Sequence, residues 1–399
     1  MSTRHPHPPG NALSAEASPR ARPGRADPVG IAATAEVLRE VTPADLARLQ
    51  RLNGHPMVSL LVPTLPGARL RPTDQTNLAE LVDRAQRRLA TELAEAQVDE
   101  LIVPLRRLVA QVADEPPGRG LALFAGAGVV EAYRLPLSPT PRVVIDPSFA
   151  TRDLARAAAE NPPYRLVTLA SGSASLYLGT GPQLHECATS GFPLGEPAND
   201  SPADRRGHLH QAEPTHRGSR RWDRFLRQVD DALTADQRTR DLPLILAAAE
   251  PLASRYRRCT SQQIVGTVPG NHQRTPLARL AERARPVLEL HLARQRQESL
   301  DRLERAVDQR RAAFGIDQVW QAARDGRVML LLVDPAYTYP ALAAPDGRSL
   351  TRSSDPEDPD VLDDAVDELI ELVARHGGHT CFTTLNGTSD PIAAVLATR

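Results

Sequence analysis

The sequence contains no lysine, and all 48 of its basic residues are arginine. That absence excludes a Schiff-base lysine, the phosphate-binding lysine of a P-loop and any lysine acid or base. Cysteine is scarce, with Cys187, Cys259 and Cys381 far apart and each in or near an apolar segment. They are expected to be small buried residues. Their number and spacing offer neither a disulfide framework nor a cysteine metal set, as suits a reducing cytoplasm. No run reaches the ~18 apolar residues of a membrane span, and the N-terminal stretch lacks the apolar centre of a signal peptide. A Gly-x-Ser-x-Gly elbow is also missing, so the common serine-hydrolase arrangement is not encoded. The net charge of −1 excludes a uniformly basic coat for DNA or RNA, although local arginine clusters remain.

With 399 residues and 41% apolar composition the chain can bury the cores of two or three α/β domains. Residues 1–36 are rich in Pro, Gly and Arg, and their composition predicts a disordered tail. Thr42-Pro43-Ala44-Asp45 has the form of a helix start. Periodicity then predicts a strand at 58–62, helices at 73–96 and 98–113, a hairpin from 120–124 and 129–135, and a proline-containing connection over 136–163 with a short helix at 151–160. Next come strands at 164–167 and 174–179, a polar loop over 192–218 that is expected to be exposed and mobile, a helix at 219–234 and a buried strand at 242–248. A short helix at 251–257, a strand at 264–268 and a long charged helix from 275 follow. In the last third, Phe314 to Asp325 reads as a short helix stopped at Gly326, and 327–333 as a strand too apolar to be exposed. A helix over 361–376 and a strand over 380–385 close the pattern.

This order, with HPMVSLLVPTLPG at 55–67 before a long helix, SRRWDRFLRQVDDAL at 219–233, FGIDQVWQAARDGRVMLLLV at 314–333 and RHGGHTCFTTL at 375–385, resembles the bacterial archaeo-eukaryotic release-factor-like family, relatives of the class-I release factors and Pelota. The resemblance implies three α/β domains in release-factor order, over residues 37–155, 156–275 and 276–399, with a mobile polar loop in the middle one. It implies a cytoplasmic factor engaging the ribosome or tRNA, in ribosome rescue or hibernation, and a translational GTPase or other protein partner for the C-terminal domain. The Asn-Ile-Lys-Ser and Tyr-x-Cys strings of stop-codon decoding are absent, so decoding is not expected.

In release factors the middle-domain loop carries Gly-Gly-Gln, which helps place water against the peptidyl-tRNA ester. The matching region here reads His216-Arg217-Gly218-Ser219-Arg220, and one glycine cannot supply the backbone freedom of two. Binding without peptide release is the expectation; the alternative is a hydrolase acting on peptidyl-tRNA or a small or nucleotide substrate through residues 192–224. No catalytic residue, metal or cofactor is assigned. His208, His210 and His216 have no evident third ligand. Arg205, Arg206, Arg217, Arg220, Arg221 and Arg224, with His216 and Gly218, form the candidate RNA-binding set, since clustered arginines contact phosphates and release counterions. The competing reading pairs these arginines with Asp204, Asp223 and Asp230. Trp222 and Phe225 are expected in the core, His376-Gly377-Gly378-His379 as a helix cap, and Asp363, Asp364 and Glu368 on a solvated helix face.

Overall fold

The computed structural model describes residues 37–170, 172–188, 191–195, 216–353, 361–385 and 390–398, and for residues 216–221 the backbone alone. The expected tail and most of the expected polar loop lie outside the described residues. The described residues form one compact unit of α/β character.

The first sheet contains β1 (Leu38–Glu40), β2 (Met57–Pro63), β3 (Gly120–Gly126), β4 (Val129–Leu135) and β5 (Arg142–Asp146), in the order β1-β4-β3-β2-β5. Its interior strand β2 reads MVSLLVP because it is covered on both faces. Val58, Leu60 and Val62 point to α2 (Pro72–Leu89) and α3 (Glu95–Val112), while Met57 and Leu61 meet Phe124, Phe149 and Leu49 on the other side. Each fully buried leucine contributes about 1.5–3 kcal/mol. On that second face lie α1 (Pro43–Leu49), opened by a Thr42/Asp45 capping box, and α4 (Arg152–Glu160). The stretch 136–163 is more than a connection, because β5 within it pairs antiparallel with β2 and forms the sheet edge.

The central sheet has the order β11-β10-β6-β7-β8. Its members are β6 (Tyr164–Ala170), β7 (Ser173–Thr180), β8 (Gln183–Glu186), β10 (Leu244–Ala248) and β11 (Ile264–Pro269), and β9 (Leu194–Gly195) also pairs with β7. Strands β6, β10 and β11 are mutually parallel neighbours. One face carries α5 (His216–Ala235) and α6 (Glu250–Cys259). The other carries α7 (Leu277–Asp308), which continues from this sheet to the last one, with Leu280, Ala284 and Leu288 against the first core and Leu303 against the second.

That last sheet has the order β12-β18-β13-β17, built from β12 (Ala312–Phe314), β13 (Val328–Val333), β17 (His379–Phe382) and β18 (Ile392–Leu396). Helices α8 (Gly315–Arg324) and α9 (Ala365–Arg375) cover one face and α7 the other. Gly326 at φ +66° makes the expected turn between α8 and β13. A small sheet of β14 (Ala341–Ala343), β15 (Leu350–Arg352) and β16 (Val361–Leu362) precedes α9. The helix expected from 361 thus starts later: Val361 and Leu362 pair with β14, and Asp364 caps α9 by accepting from the Val366 amide at 3.1 Å.

The acidic stretch before and within α9 departs most from expectation. Instead of facing solvent, Asp364 and Asp367 are buried and Asp363 nearly so, against arginines of the first sheet's elements. Arg152 Nη1 donates to Asp364 Oδ2 at 2.7 Å, the Arg152 amide to Asp367 Oδ1 at 2.8 Å and Arg88 Nη1 to Asp363 Oδ2 at 3.1 Å. Arg142 reaches Asp153 at 2.9 Å and Asp367 at 3.5 Å. Glu368 keeps a partly exposed ion pair with Arg375 at 3.0 Å. Burial drives the carboxyl of Glu371 up to about 8 and that of Asp367 up to about 7. The half-buried Asp146 is raised to about 8, first by burial and then by Asp363 and Asp367.

Cys187 is buried as expected and Cys381 partly so, whereas Cys259 is exposed. It is the last residue of α6, where the chain turns outward.

Candidate functional site

Helices α5 and α6 run side by side in the same direction. Asp223 meets Arg255, Asp230 meets Tyr256, Thr260 and Ser261, and Thr234 meets Gln262, so both helices advance together. Helix α6 leaves the carboxyl end of β10 at once, which places the N-terminal half of α5 at that same end of the sheet. In open α/β sheets, ligands bind outside the carboxyl ends of parallel strands. Two further pieces lie there. Gly195 of β9 pairs with Ser173 at the start of β7, and Gln273 Nε2 donates to Ser173 Oγ at 2.6 Å. The turn after β11 is fixed by Gly270 at φ +122° and by buried His272, whose ring nitrogens lie 3.1 Å from the Pro269 carbonyl oxygen and 3.3 Å from Thr275 Oγ1.

Helix α5 begins at His216, three residues earlier than the sequence predicts, so His216, Arg217 and Gly218 belong to its first turn and not to the loop. A glycine in a helical turn has no special backbone role there. Trp222 and Phe225 pack edge to face with centroids 6.1 Å apart; Phe225 enters the core as expected, with Leu226, Val229 and Leu233, while Trp222 is half-buried against it. Arg217, Arg220, Arg221 and Arg224 occupy i, i+3, i+4 and i+7 positions. Helical geometry sets that stripe on the face opposite the apolar one. Arg224 is exposed and makes no ion pair among the described residues, while the side chains of His216, Arg217, Arg220 and Arg221 are outside the description. Arg205, Arg206, His208, His210, Gln211 and Asp204 also lie outside the described residues.

Of the carboxylates that the sequence offers this stripe, the two described ones have other partners. Asp223 holds Arg255 at 2.9 Å, and Asp230 accepts from Ser261 Oγ at 2.9 Å and its amide at 3.1 Å. Among the described residues Arg227 donates to the Asp223 carbonyl oxygen, at 3.1 Å. Among the described residues, exposed Arg224 and Arg227 of α5 make no ion pair. Sequence reasoning did not single out Gln273, after β11, or Ser173, the first residue of β7.

His376 behaves as a cap: its Nδ1 lies 2.9 Å from the Leu372 carbonyl oxygen, and Gly377 follows at φ +79°. Among the described residues no group of His, Cys, Asp or Glu could hold a metal ion, and no helix is long and apolar enough to cross a membrane.

Residues 163–327 match the family described as "Bacterial archaeo-eukaryotic release factor family 3". No curated protein matches the chain. Among solved structures, archaeal Pelota from a ribosome-bound model with ABCE1 is 13% identical, covering 91% of this chain and 96% of that one at a TM-score of 0.40. Dom34 of S. cerevisiae, a translation termination-like factor, is 14% identical over 70% of this chain and 73% of its own, with a TM-score of 0.36. The archaeal translation termination factor aRF1 is 14% identical, with coverage of 90% and 99% and a TM-score of 0.24.

Proposed function

With residues 163–327 of bacterial archaeo-eukaryotic release-factor-like type, we propose that this chain is a translation-associated factor that binds the ribosome or tRNA through the strand-carboxyl end of its central sheet. The observation that supports the reading best is the run of Arg217, Arg220, Arg221 and Arg224 at one helical spacing on α5, with Asp223 held by Arg255 of α6 and Asp230 by Ser261 just after it. Such a face contacts phosphates without reading sequence, and its affinity falls with salt as counterions are released. Arg205 and Arg206 extend the set in sequence. Rescue or hibernation of ribosomes in the cytoplasm is the role that fits a binding factor of this type, with a translational GTPase as a partner for the C-terminal part.

The chemistry follows from what stands in place of Gly-Gly-Gln. Attack of water on a peptidyl-tRNA ester needs a backbone donor and a positioned polar side chain within hydrogen-bond reach. Gly218, held in a helical turn, does not offer that geometry. The factor binds, and peptide stays on the tRNA. Ribosomes carrying labelled peptidyl-tRNA test this: release at the factor-free rate is expected, and faster release that disappears in His216→Ala or Gln211→Ala would establish a catalytic loop instead.

A further inference from the structure

A second basic surface lies far along the chain from α5. One cleft of about 410 Å³ opens between α7, the end of α4 and the edge strand β17. Another of about 440 Å³ continues along α7 toward β12, and the two share Arg302, Leu330 and His379 as wall residues. Together they make one groove that follows α7 from Gln295 to Gln309, about 20 Å at 1.5 Å per residue. Its floor is partly apolar, from Leu330 and Phe382.

Charge is sorted across α7 around this groove. Arg296, Arg302 and Arg305 line it, and none makes a side-chain hydrogen bond or ion pair among the described residues. Asp301, Glu304 and Asp308 belong to the same helical stretch but do not line either cleft, and Asp301 is bonded to Gln297 at 2.9 Å. Two carboxylates do reach the groove, both in the first cleft: Glu160, already paired with Arg156 at 2.7 Å, and Glu298. Arg311, already held by Gln309 Oε1 at 2.9 Å and with its Nη1 3.4 Å from the Leu396 carbonyl oxygen, adds a partnered guanidinium in the second cleft, and His379 stands where the two meet.

We propose that this groove binds the sugar–phosphate backbone of a single RNA strand, a few nucleotides long. Unpaired guanidiniums spread along a groove several nucleotides long fit a chain of phosphates better than one compact anion, and partly apolar floor residues suit ribose and base faces. The inference stands apart from the α5 reading, because it rests on different residues and on a different helix.

The test uses the full chain with a fluorescein-labelled 12-nucleotide oligouridine, followed by anisotropy over a salt series. Measurements are made in wild type and in a background carrying Arg217→Glu, Arg220→Glu and Arg221→Glu, which removes the α5 stripe. Adding Arg296→Glu, Arg302→Glu and Arg305→Glu is expected to weaken binding at least tenfold in either background. The log–log salt slope should fall by about 2, from three lost single-strand contacts at ~0.7 each. Arg302→Gln with Arg305→Gln, checked for an unchanged thermal midpoint, should show a smaller loss in the same direction. A 4-thiouridine oligomer should crosslink to residues 379–382. Unchanged affinity in the α5-variant background would overturn the proposal. Uridine monophosphate competing as well as the oligomer would reassign the groove to a small phosphate ligand, and poly-glutamate binding as tightly as RNA would reassign it to an acidic peptide.

Discussion

Arginines and aspartates meet in two places in this protein with opposite results. Under α9, Arg88, Arg142 and Arg152 are enclosed with Asp153, Asp363, Asp364, Asp367 and Glu371, so carboxyls outnumber guanidiniums in a buried space. On α5, the one described side chain of the arginine stripe, Arg224, lies in solvent with no ion pair among the described residues. Where acid is in excess and water is excluded, charge is suppressed by proton uptake; where base is in excess and water is present, charge is kept for a partner. The first arrangement joins elements of the molecule, and the second suits an anionic surface.

Removing a buried guanidinium should break this contrast most severely. Arg152 is 3% exposed and also donates to the Pro335 carbonyl oxygen at 2.8 Å, so Arg152→Ala leaves Asp364 buried without its cation. A loss of about 3–5 kcal/mol is expected in denaturant unfolding. Charge reversal at exposed Arg224 is expected to stay within about 0.5 kcal/mol. Similar losses for both would mean that the α9 constellation is not the joint described here.

Next in size is the pH dependence. The carboxyls of Glu371, Asp367 and Asp146 have pKa values above those of an unfolded chain, at about 8, 7 and 8, and so hold protons that the unfolded chain has released. Their contribution to stability is present below the ordinary carboxylate range and is lost as pH rises through about 7 to 8. The groups facing them are Arg88, Arg142, Arg152, Asp153, Asp363, Asp364, Glu368 and Arg375. Stability should therefore fall as pH rises toward about 8, by up to about 1.4 kcal/mol per pH unit for each carboxyl protonated only in the folded chain, and level off above, so thermal midpoints should be lower at pH 8 than at pH 6. Glu371→Gln keeps an acceptor for Thr151 Oγ1, now at 3.3 Å, and should flatten this slope. A midpoint that is constant or rises over that range would contradict the assignment.

How far the sequence foretold these two regions depends on what decides each. Continuous apolar strands such as β13, and the turn at Gly326, need only local signals and were legible. The apolar face of α5 was legible from Trp222 and Phe225. The fate of the acidic stretch before and within α9 was not, because helical periodicity separates apolar from polar faces but does not tell a polar face in water from one packed on arginines more than 200 residues away, as Arg152 and Asp364 are. Strand β5 was hidden for a related reason: five residues amid prolines join a sheet only because β2 offers an edge. Exposed Cys259 shows the limit of reading burial from an apolar neighbourhood at a helix end.

The smallest expected effect on stability belongs to residues 1–36, whose composition predicts no packing. Their deletion is expected to leave the thermal midpoint unchanged, and a fall of several degrees would show that they dock.

The central claim is that the α5 face meets ribosomal or transfer RNA. Co-sedimentation of the full chain with ribosomes over a salt series, in wild type and in Arg217→Glu/Arg220→Glu/Arg221→Glu, tests it most directly. The account predicts that wild type pellets with ribosomes at low salt and dissociates as salt rises, and that the triple variant, folded with an unchanged midpoint, stays in the supernatant. Equal sedimentation of the two proteins at low salt would contradict it.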